Sequence, residues 1–305
     1  MKTIIEFLLC GVIVCIATNL LHGVFHRHET ARESDVGSVL YAQIATPVFN
    51  TPDVRAVFGG KDGNTLKVDN QGLIRAVETV LLPGQSLRVR GETTINGIKM
   101  YRVTSAAYPY PAKDGLYVDA RFVGRQKPYC DLSMPANDKI ISNMLSMVGS
   151  EYIWGGNYHD GIMQMLQFYP PQNPLDGVQS SRWTLAGVDC SGLLYEATNG
   201  NTPRNTSSLI TFGRPVGIAG LSAKDIAARL KPLDLIVWKG HVLIAIDSGN
   251  IIESTMAPGP GGETGVRVTD AVTRLSQIMH TRTPADSFSH AGQFVIRRWY
   301  GVDDK

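Results

Sequence analysis

The segment GVDCSGLL, residues Gly187–Leu194, is the most informative part of the chain. It predicts a short strand or turn that leads into a helix, with Cys190 in the first turn. At that position the helix dipole and the free backbone N–H groups lower the pKa of a thiol and can hold a developing oxyanion. The segment therefore predicts a nucleophilic cysteine. The alternative is a buried cysteine that acts as a small hydrophobic residue.

Two polar residues downstream extend this candidate site. His241 opens the run HVLIAID directly after a Lys-Gly turn, where an imidazole can reach a helix N-terminus and pair with a thiolate. Glu253, in the next strand-like run, can orient that imidazole; a surface histidine and a solvated glutamate are the alternatives. A three-residue hairpin loop places His241 and Glu253 on one face, one diagonal step apart, whereas a two-residue Ser248-Gly249 loop places them on opposite faces.

The N-terminal residues predict export. Lys2 precedes an apolar run from Ile4 to Leu21, so residues 1–24 are expected to form a signal peptide or a membrane anchor. The rest of the chain is then expected in the periplasm or cell envelope, attached to the inner membrane if the leader is kept. Cys130 and Cys190 follow the leader, and a disulfide between them would consume the nucleophile. We expect Cys130 to be a bystander.

Composition excludes several classes of protein. The chain has 305 residues, of which 43% are hydrophobic and 18% charged, and its formal charge is +2. These values argue against a disordered chain and a nucleic-acid partner, and no solenoid repeat is visible. No second metal ligand stands at a standard close spacing to Cys190, so no metal or organic cofactor is implied.

The residue pattern predicts two domains. Residues 25–38 form a polar linker, and residues 39–125 contain about five short strand-like runs typical of a small β-barrel. After a connector at 126–137, residues 138–303 begin with a helix over Asp138–Val148 and end in an antiparallel meander. The fold class is therefore α+β.

Five segments in order carry a family resemblance. They are YIWGGN at 152–157, DCSG at 189–192, PRNTS at 203–207, LDL at 233–235 and HVLI at 241–244. With them the second domain resembles the NlpC-type cell-wall peptidases, a family of papain-like cysteine hydrolases. The first domain, through its strand spacing and its closing run GLYVDARFV, resembles a bacterial SH3-like module.

The resemblance implies residue roles. Cys190 becomes the nucleophile, His241 the base and Glu253 the third, polar member of the catalytic set. Substrate-binding roles fall on four residues that match or flank the family segments, namely Tyr152, Asp189, Ser191 and Arg204. Arg204 is expected near the cleft, where it can meet a substrate carboxylate.

The resemblance also implies an activity. The protein is expected to be an exported cysteine endopeptidase that hydrolyses peptidoglycan stem peptides at the γ-D-glutamyl–diamino acid bond. Its partner is then the stem peptide or the sacculus, and a membrane only through the N-terminal anchor. In such proteins the module narrows the cleft and helps to hold a free N-terminal L-Ala, a role for which Tyr108, Tyr110 and Tyr117 are candidates.

Two other functions stay open on the sequence. One is an amidase or acyltransferase that uses the same Cys-His pair, and the other is a non-catalytic wall-binding protein. Departures from the family pattern bear on substrate range: a long insert at Tyr158–Leu185 that can wall or cover the cleft, Leu233 where glycine is common, and Leu209-Ile210 where glutamine is often found.

Overall fold

Alternation of buried and exposed side chains builds an antiparallel sheet from the first half of the chain, as in β6, where Leu87 and Val89 are buried between exposed neighbours. The computed structural model describes residues 34–256 and 264–301. The predicted leader at 1–24 and most of the linker at 25–38 lie outside this range. No helix within the described residues has the length and apolar character needed to span a membrane.

The first sheet has the strand order β5-β2-β8-β7-β6-β1-β9. Its strands are β1 Val39–Ala42, β2 Thr46–Phe49, β5 Val77–Leu81, β6 Ser86–Ile95, β7 Ile98–Thr104, β8 Leu116–Asp119 and β9 Val123–Gly124, and β3 Phe58–Gly59 pairs with β4 Thr65–Leu66 beside it. Within the described residues no strand pairing closes this sheet, so the predicted barrel is not seen. The SH3-like assignment stays a prediction.

The second large sheet is built mainly from the meander predicted in the sequence. Its order is β12-β18-β13-β14-β15-β16, with β17 beside β18. The strands are β12 Arg214–Val216, β13 Leu235–Trp238, β14 His241–Ala245, β15 Asn250–Thr255, β16 Gly265–Asp270, β17 Thr283–Pro284 and β18 Gln293–Arg298, and the short pair β10 Asn157–Tyr158 and β11 Gly187–Val188 precedes them. The α+β class is confirmed.

The helices of the second half are α1 Asn137–Ser146, α2 Gln164–Phe168, α3 Gly177–Trp183, α4 Cys190–Ala197, α5 Thr206–Leu209, α6 Ala223–Ala227 and α7 Ala271–Met279. All but α2 and α3, which belong to the insert, pack against the second sheet. Apolar residues of α1 and α4 share a core with Val242 and Ile244 of β14, whereas α6 and α7 share another with Leu243 and Ala245. The period-2 alternation along β14 thus places α4 on one face of the sheet and α7 on the other.

The insert at Tyr158–Leu185 packs on the first half of the chain. Met165, Tyr169 and Trp183 are fully buried in one core with Phe49 and Phe58. The rings of Phe58 and Trp183 meet edge to face, with their centroids 5.9 Å apart. A long loop rich in aromatic residues therefore fills a core. Whether it also walls or covers the cleft stays a prediction.

Candidate active site

Cys190 occupies the first residue of α4, as the sequence predicts. Asp189 caps the helix, and its Oδ1 accepts the backbone N–H groups of Ser191 at 3.1 Å and Gly192 at 2.8 Å. These two N–H groups are therefore not free to hold an oxyanion, which corrects part of the sequence-based expectation. A side chain at position 192 would meet the carbonyl oxygen of Gly156 at 2.0 Å, so only glycine fits there.

The thiol of Cys190 is buried, and its pKa is raised to about 12. Burial is the largest cause, and the charge of Asp189 adds to it, whereas Arg204 and the backbone N–H of Val242 lower the pKa. The sequence predicts a lowered pKa from the helix N-terminus. That expectation is wrong, because removal of the thiol from water outweighs the charge and the backbone hydrogen bonds that lower its pKa. The hydrogen bond from Val242 sets the thiol beside the residue that follows His241.

The histidine and the glutamate lie in direct contact. His241 Nε2 and Glu253 Oε2 are 2.7 Å apart, and Glu253 is 1% exposed. In the β14–β15 register, Ala245 pairs with Ile251, so the hairpin has a three-residue loop and the same-face prediction is confirmed. An ionised Glu253 accepts the Nε2 proton, which leaves Nδ1 as the ring nitrogen that can exchange a proton with Cys190.

Two arginines also hold the glutamate, and Arg274 reaches both of its carboxylate oxygens. Arg267 Nη2 lies 3.0 Å from Glu253 Oε1, and Arg274 Nε lies 2.7 Å from the same oxygen. Burial acts to raise the pKa of Glu253, but hydrogen bonds from His241 and Arg274 outweigh it and keep the pKa well below its usual range. Neither arginine was predicted from the sequence. The pairing of β15 with β16 would have indicated Arg267, because it stands directly opposite Glu253.

Arg204 differs from its predicted role. Its side chain is buried, and it donates to Asp189 Oδ2 at 2.7 Å, to Ser191 Oγ at 2.7 Å and to Asn157 Oδ1 at 3.1 Å. A guanidinium engaged in this way is not presented to a substrate carboxylate. The sequence-based expectation is corrected accordingly: Arg204 neutralises and orients the Asp189 cap beneath Cys190.

The other predicted binding residues surround the same network. Ser191 is buried, and its hydroxyl donates to the carbonyl oxygen of Arg204 at 2.5 Å. Burial raises the pKa of Tyr152, and the nearby charges of Asp189 and Cys190 raise it further. Tyr152, Asp189 and Ser191 are thus brought together around Cys190. Substrate contact by any of them stays a prediction.

The three module tyrosines separate into two groups. Tyr108 donates to Glu78 Oε2 at 2.8 Å and also bonds Asn205, and Tyr110 donates to Ser208 Oγ at 2.8 Å, so both reach the second half of the chain. Tyr117 instead donates to the carbonyl oxygen of Asp114 within the first half. The geometry favours the first two over Tyr117 as neighbours of the site.

No disulfide joins Cys130 to Cys190, so the nucleophile is not consumed in that way. Cys130 lies instead in a cavity at the junction with Leu132, His159 and Glu196. Across residues 34–256 and 264–301, no group of three His, Cys, Asp or Glu side chains is arranged to hold a metal ion.

No protein-family model and no curated protein matches the chain. Solved structures similar to it include an NlpC/P60 family protein from Bacillus cereus, with 15% identity over 86% of this chain and 99% of that chain at a TM-score of 0.46. RipD from Mycobacterium tuberculosis is described as a non-catalytic NlpC/p60 domain protein adapted to peptidoglycan binding. It shares 17% identity over 56% of this chain and 98% of its own chain, at a TM-score of 0.31. NlpC2 from Trichomonas vaginalis shares 14% identity over 85% of this chain and 72% of its own chain, at a TM-score of 0.30. Because these identities are all below 20%, they do not assign an activity to this chain.

Proposed function

We propose that this protein is an exported cysteine endopeptidase that hydrolyses peptidoglycan stem peptides at the γ-D-glutamyl–diamino acid bond. The observation that carries the proposal is a hydrogen-bonded imidazole–carboxylate pair next to a helix that begins with a thiol. Cys190 begins α4 beside the start of β14, and His241 at that start is held 2.7 Å from the buried Glu253. The segment resemblance to NlpC-type peptidases supplies the substrate class.

The chemistry follows from these positions. His241 takes the proton of Cys190 through Nδ1, and the thiolate attacks the amide carbonyl to form a tetrahedral intermediate. Its collapse breaks the C–N bond as His241 returns the proton to the leaving amine. Water, deprotonated by His241, then hydrolyses the thioester and restores the thiol. Glu253 keeps the imidazole in one tautomer and stabilises its charged form.

One observation favours a second candidate, a non-catalytic wall-binding protein. Cys190 is only 6% exposed, and its raised pKa leaves little thiolate at neutral pH. A nucleophile has to be reached by substrate and has to lose its proton. Under the second candidate, Cys190 is a buried core residue, and the chain binds peptidoglycan without cutting it.

Incubation of the full-length protein with L-Ala-γ-D-Glu-diaminopimelate and, separately, with intact sacculi distinguishes the two candidates. Mass spectrometry is expected to show L-Ala-D-Glu released from the tripeptide, and diaminopimelate-containing peptides released from sacculi, by the wild type. The control variant Cys130→Ala should release the same products, and Cys190→Ala should release none. Cys130 is the appropriate control because it is the other cysteine of the described residues. Binding to sacculi without cleavage of either substrate would overturn the proposal in favour of the second candidate.

A further inference from the structure

A groove of about 930 Å³ lies on the first sheet, outside the candidate active site. Its floor is formed by β6 and β7, and one wall is the loop at 105–112. The wall is apolar and stiff in character, since it presents Tyr108 and Tyr110 together with Pro109 and Pro111. None of the catalytic residues proposed above lines this groove.

Three arginines give the groove its charge. Arg88 and Arg90 alternate with buried residues on β6, and Arg102 stands on the adjacent β7, so all three are exposed on one face of the sheet. Arg88 donates to the carbonyl oxygen of Gly37 and Arg90 to Thr104 Oγ1, which are neutral acceptors. Among the described residues, none of the three arginines has an acidic partner within ion-pair distance.

The groove borders the candidate active site through a shared wall. The loop that carries Tyr108 and Tyr110 contacts the second half of the chain on its other side. There Tyr110 bonds Ser208 of α5, and the backbone carbonyl of Ala107 accepts from the hydroxyl of Tyr195 on α4 at 3.4 Å. A polymer bound in the groove would therefore lie close to the helix that carries Cys190.

We propose that this arginine groove binds an acidic peptide, namely the carboxylate-bearing stem peptides of peptidoglycan next to the one being cut. This inference rests on the proposed function for the identity of the polymer. Guanidinium groups pair with carboxylates through two parallel hydrogen bonds. Arg88 and Arg90 stand about 7 Å apart along β6, and the neighbouring strand is about 5 Å away. This spread suits several carboxylates along a peptide, and the tyrosine and proline wall covers its apolar parts.

The test measures binding to sacculi without turnover. Full-length Cys190→Ala protein is compared with the same protein carrying Arg88→Gln, Arg90→Gln and Arg102→Gln. The matched control carries Arg55→Gln, Lys61→Gln and Lys67→Gln, which remove the same charge from exposed positions of the first half outside the groove. Each protein is co-sedimented with untreated sacculi, with sacculi stripped of phosphodiester polymers, and with stripped sacculi whose carboxylates have been amidated.

The groove variant is expected to bind stripped sacculi at least about tenfold more weakly than its parent, while the control changes by less than about twofold. Amidation of the carboxylates should weaken binding of the parent protein to sacculi to a similar extent. This comparison uses only the parent, so it does not depend on the folding of the arginine variant. Equal binding by the groove variant and the control, or full binding to amidated sacculi, would overturn the inference. Loss of binding only when phosphodiester polymers are removed would overturn it in favour of a phosphate ligand.

Cleavage of the soluble tripeptide by proteins that retain Cys190 is measured in parallel. An inactive wild type would count against the proposed function, whereas an active wild type with unchanged sacculus binding by the groove variant would count against this inference alone.

Discussion

At the scale of single residues, Glu253 is a buried charge held by three side chains. One carboxylate that is 1% exposed accepts hydrogen bonds from His241, Arg267 and Arg274. Buried charges are tolerated only when they are paired and hydrogen-bonded. Removal of this negative charge would leave the guanidinium groups of Arg267 and Arg274, both largely removed from solvent, without their shared carboxylate partner.

Glu253→Gln is expected to lower the free energy of unfolding by about 3 kcal/mol at pH 7, because it leaves Arg267 and Arg274 without their shared partner. The folded pKa of Glu253 is depressed, so its stabilisation is present above the unfolded value near 4.5 and is lost as the pH falls through the folded pKa. The difference between wild type and variant should therefore be constant near neutral pH and should shrink below about pH 4.5.

Urea unfolding from pH 3 to pH 8 measures this difference. Asp160→Asn is the control, because the Asp160 side chain is 75% exposed and its loss should cost less than about 1 kcal/mol at any pH. A Glu253→Gln effect no larger than that of the control would show that the arginines do not depend on the carboxylate.

Leu233 is strained at the position where the family resemblance expects glycine. Its φ is 67° and its side chain is 1% exposed. The left-handed backbone is unfavourable for leucine, whereas burial of its side chain in the core is favourable. Leu233→Ala and Leu233→Gly should each lose about 2 to 5 kcal/mol of stability. The glycine variant should be the more stable of the two by about 1 kcal/mol, since only it relieves the strain.

Leu235 in β13 provides the comparison. It is equally buried but lies in an ordinary strand, where glycine should be less stable than alanine by about 0.5 to 1 kcal/mol. Denaturant unfolding of the four variants measures whether glycine is more stable than alanine at position 233 and less stable than alanine at position 235. The same order of stability at both positions would mean that the positive φ of Leu233 does not destabilise the protein.

At the scale of secondary-structure elements, one ion pair joins the insert to the helix that carries Cys190. His159, at the start of the insert, places Nδ1 2.6 Å from Glu196 Oε1 near the end of α4. The hydrogen bond that His159 donates to Glu196 raises the pKa of His159. The contact is therefore pH-dependent and ties α4 to a segment that packs on the first half.

His159→Gln should be less stable than wild type at pH 6 by about 1 kcal/mol, and the difference should decrease as the pH rises above about 6.5. The sign follows from a raised folded pKa, whose stabilisation is present below the unfolded value and is lost as the pH passes the folded one. Thermal unfolding from pH 5.5 to pH 9 measures it. The exposed His290 supplies the control His290→Gln, which should show no such trend; a constant His159→Gln effect across the range would contradict the prediction.

Local patterns predicted α1, α4 and the central strands of the second sheet, and contacts between elements explain what they could not predict. The spacing of Ile140, Ile141 and Met144 predicts a helix over Asp138–Val148, and α1 spans Asn137–Ser146. Cys190, His241 and Glu253 could be selected because each stands at an element start or shares a strand register. Arg204 and Arg274 could not be assigned, because their partners lie on other elements and only the folded chain brings them together.

At the scale of the whole molecule, Asn157 joins the first sheet to the candidate site. Its side chain accepts from Thr79 and from the Val80 N–H at 2.9 Å each, donates to the Val80 carbonyl oxygen at 2.8 Å and accepts from Arg204 at 3.1 Å. Asn157 is fully buried, so its hydrogen-bond partners cannot bond to water instead when its side chain is removed.

Asn157→Ala should lower the free energy of unfolding by roughly 3 kcal/mol, because it leaves several buried donors and one acceptor unpaired. Far-UV circular dichroism and tryptophan fluorescence should report one coincident transition, since β5 and the site share this network. Asn143→Ala, which removes one bond to the carbonyl oxygen of Ala197, is expected to cost about 1 kcal/mol. Two separated transitions in wild type would show that the halves unfold independently.

The insert makes the two halves of the gene difficult to exchange. Trp183 packs against Phe58, and the hydroxyl of Tyr169 donates to Asp119 in the first half, yet the insert is encoded downstream of the connector at 126–137. A recombination event that swapped only the upstream segment for that of a relative would bury the insert's aromatic rings against an unmatched surface. Chimeras of this protein should therefore fold only when residues 158–185 travel with the first half, or when both partners of that core come from the same parent.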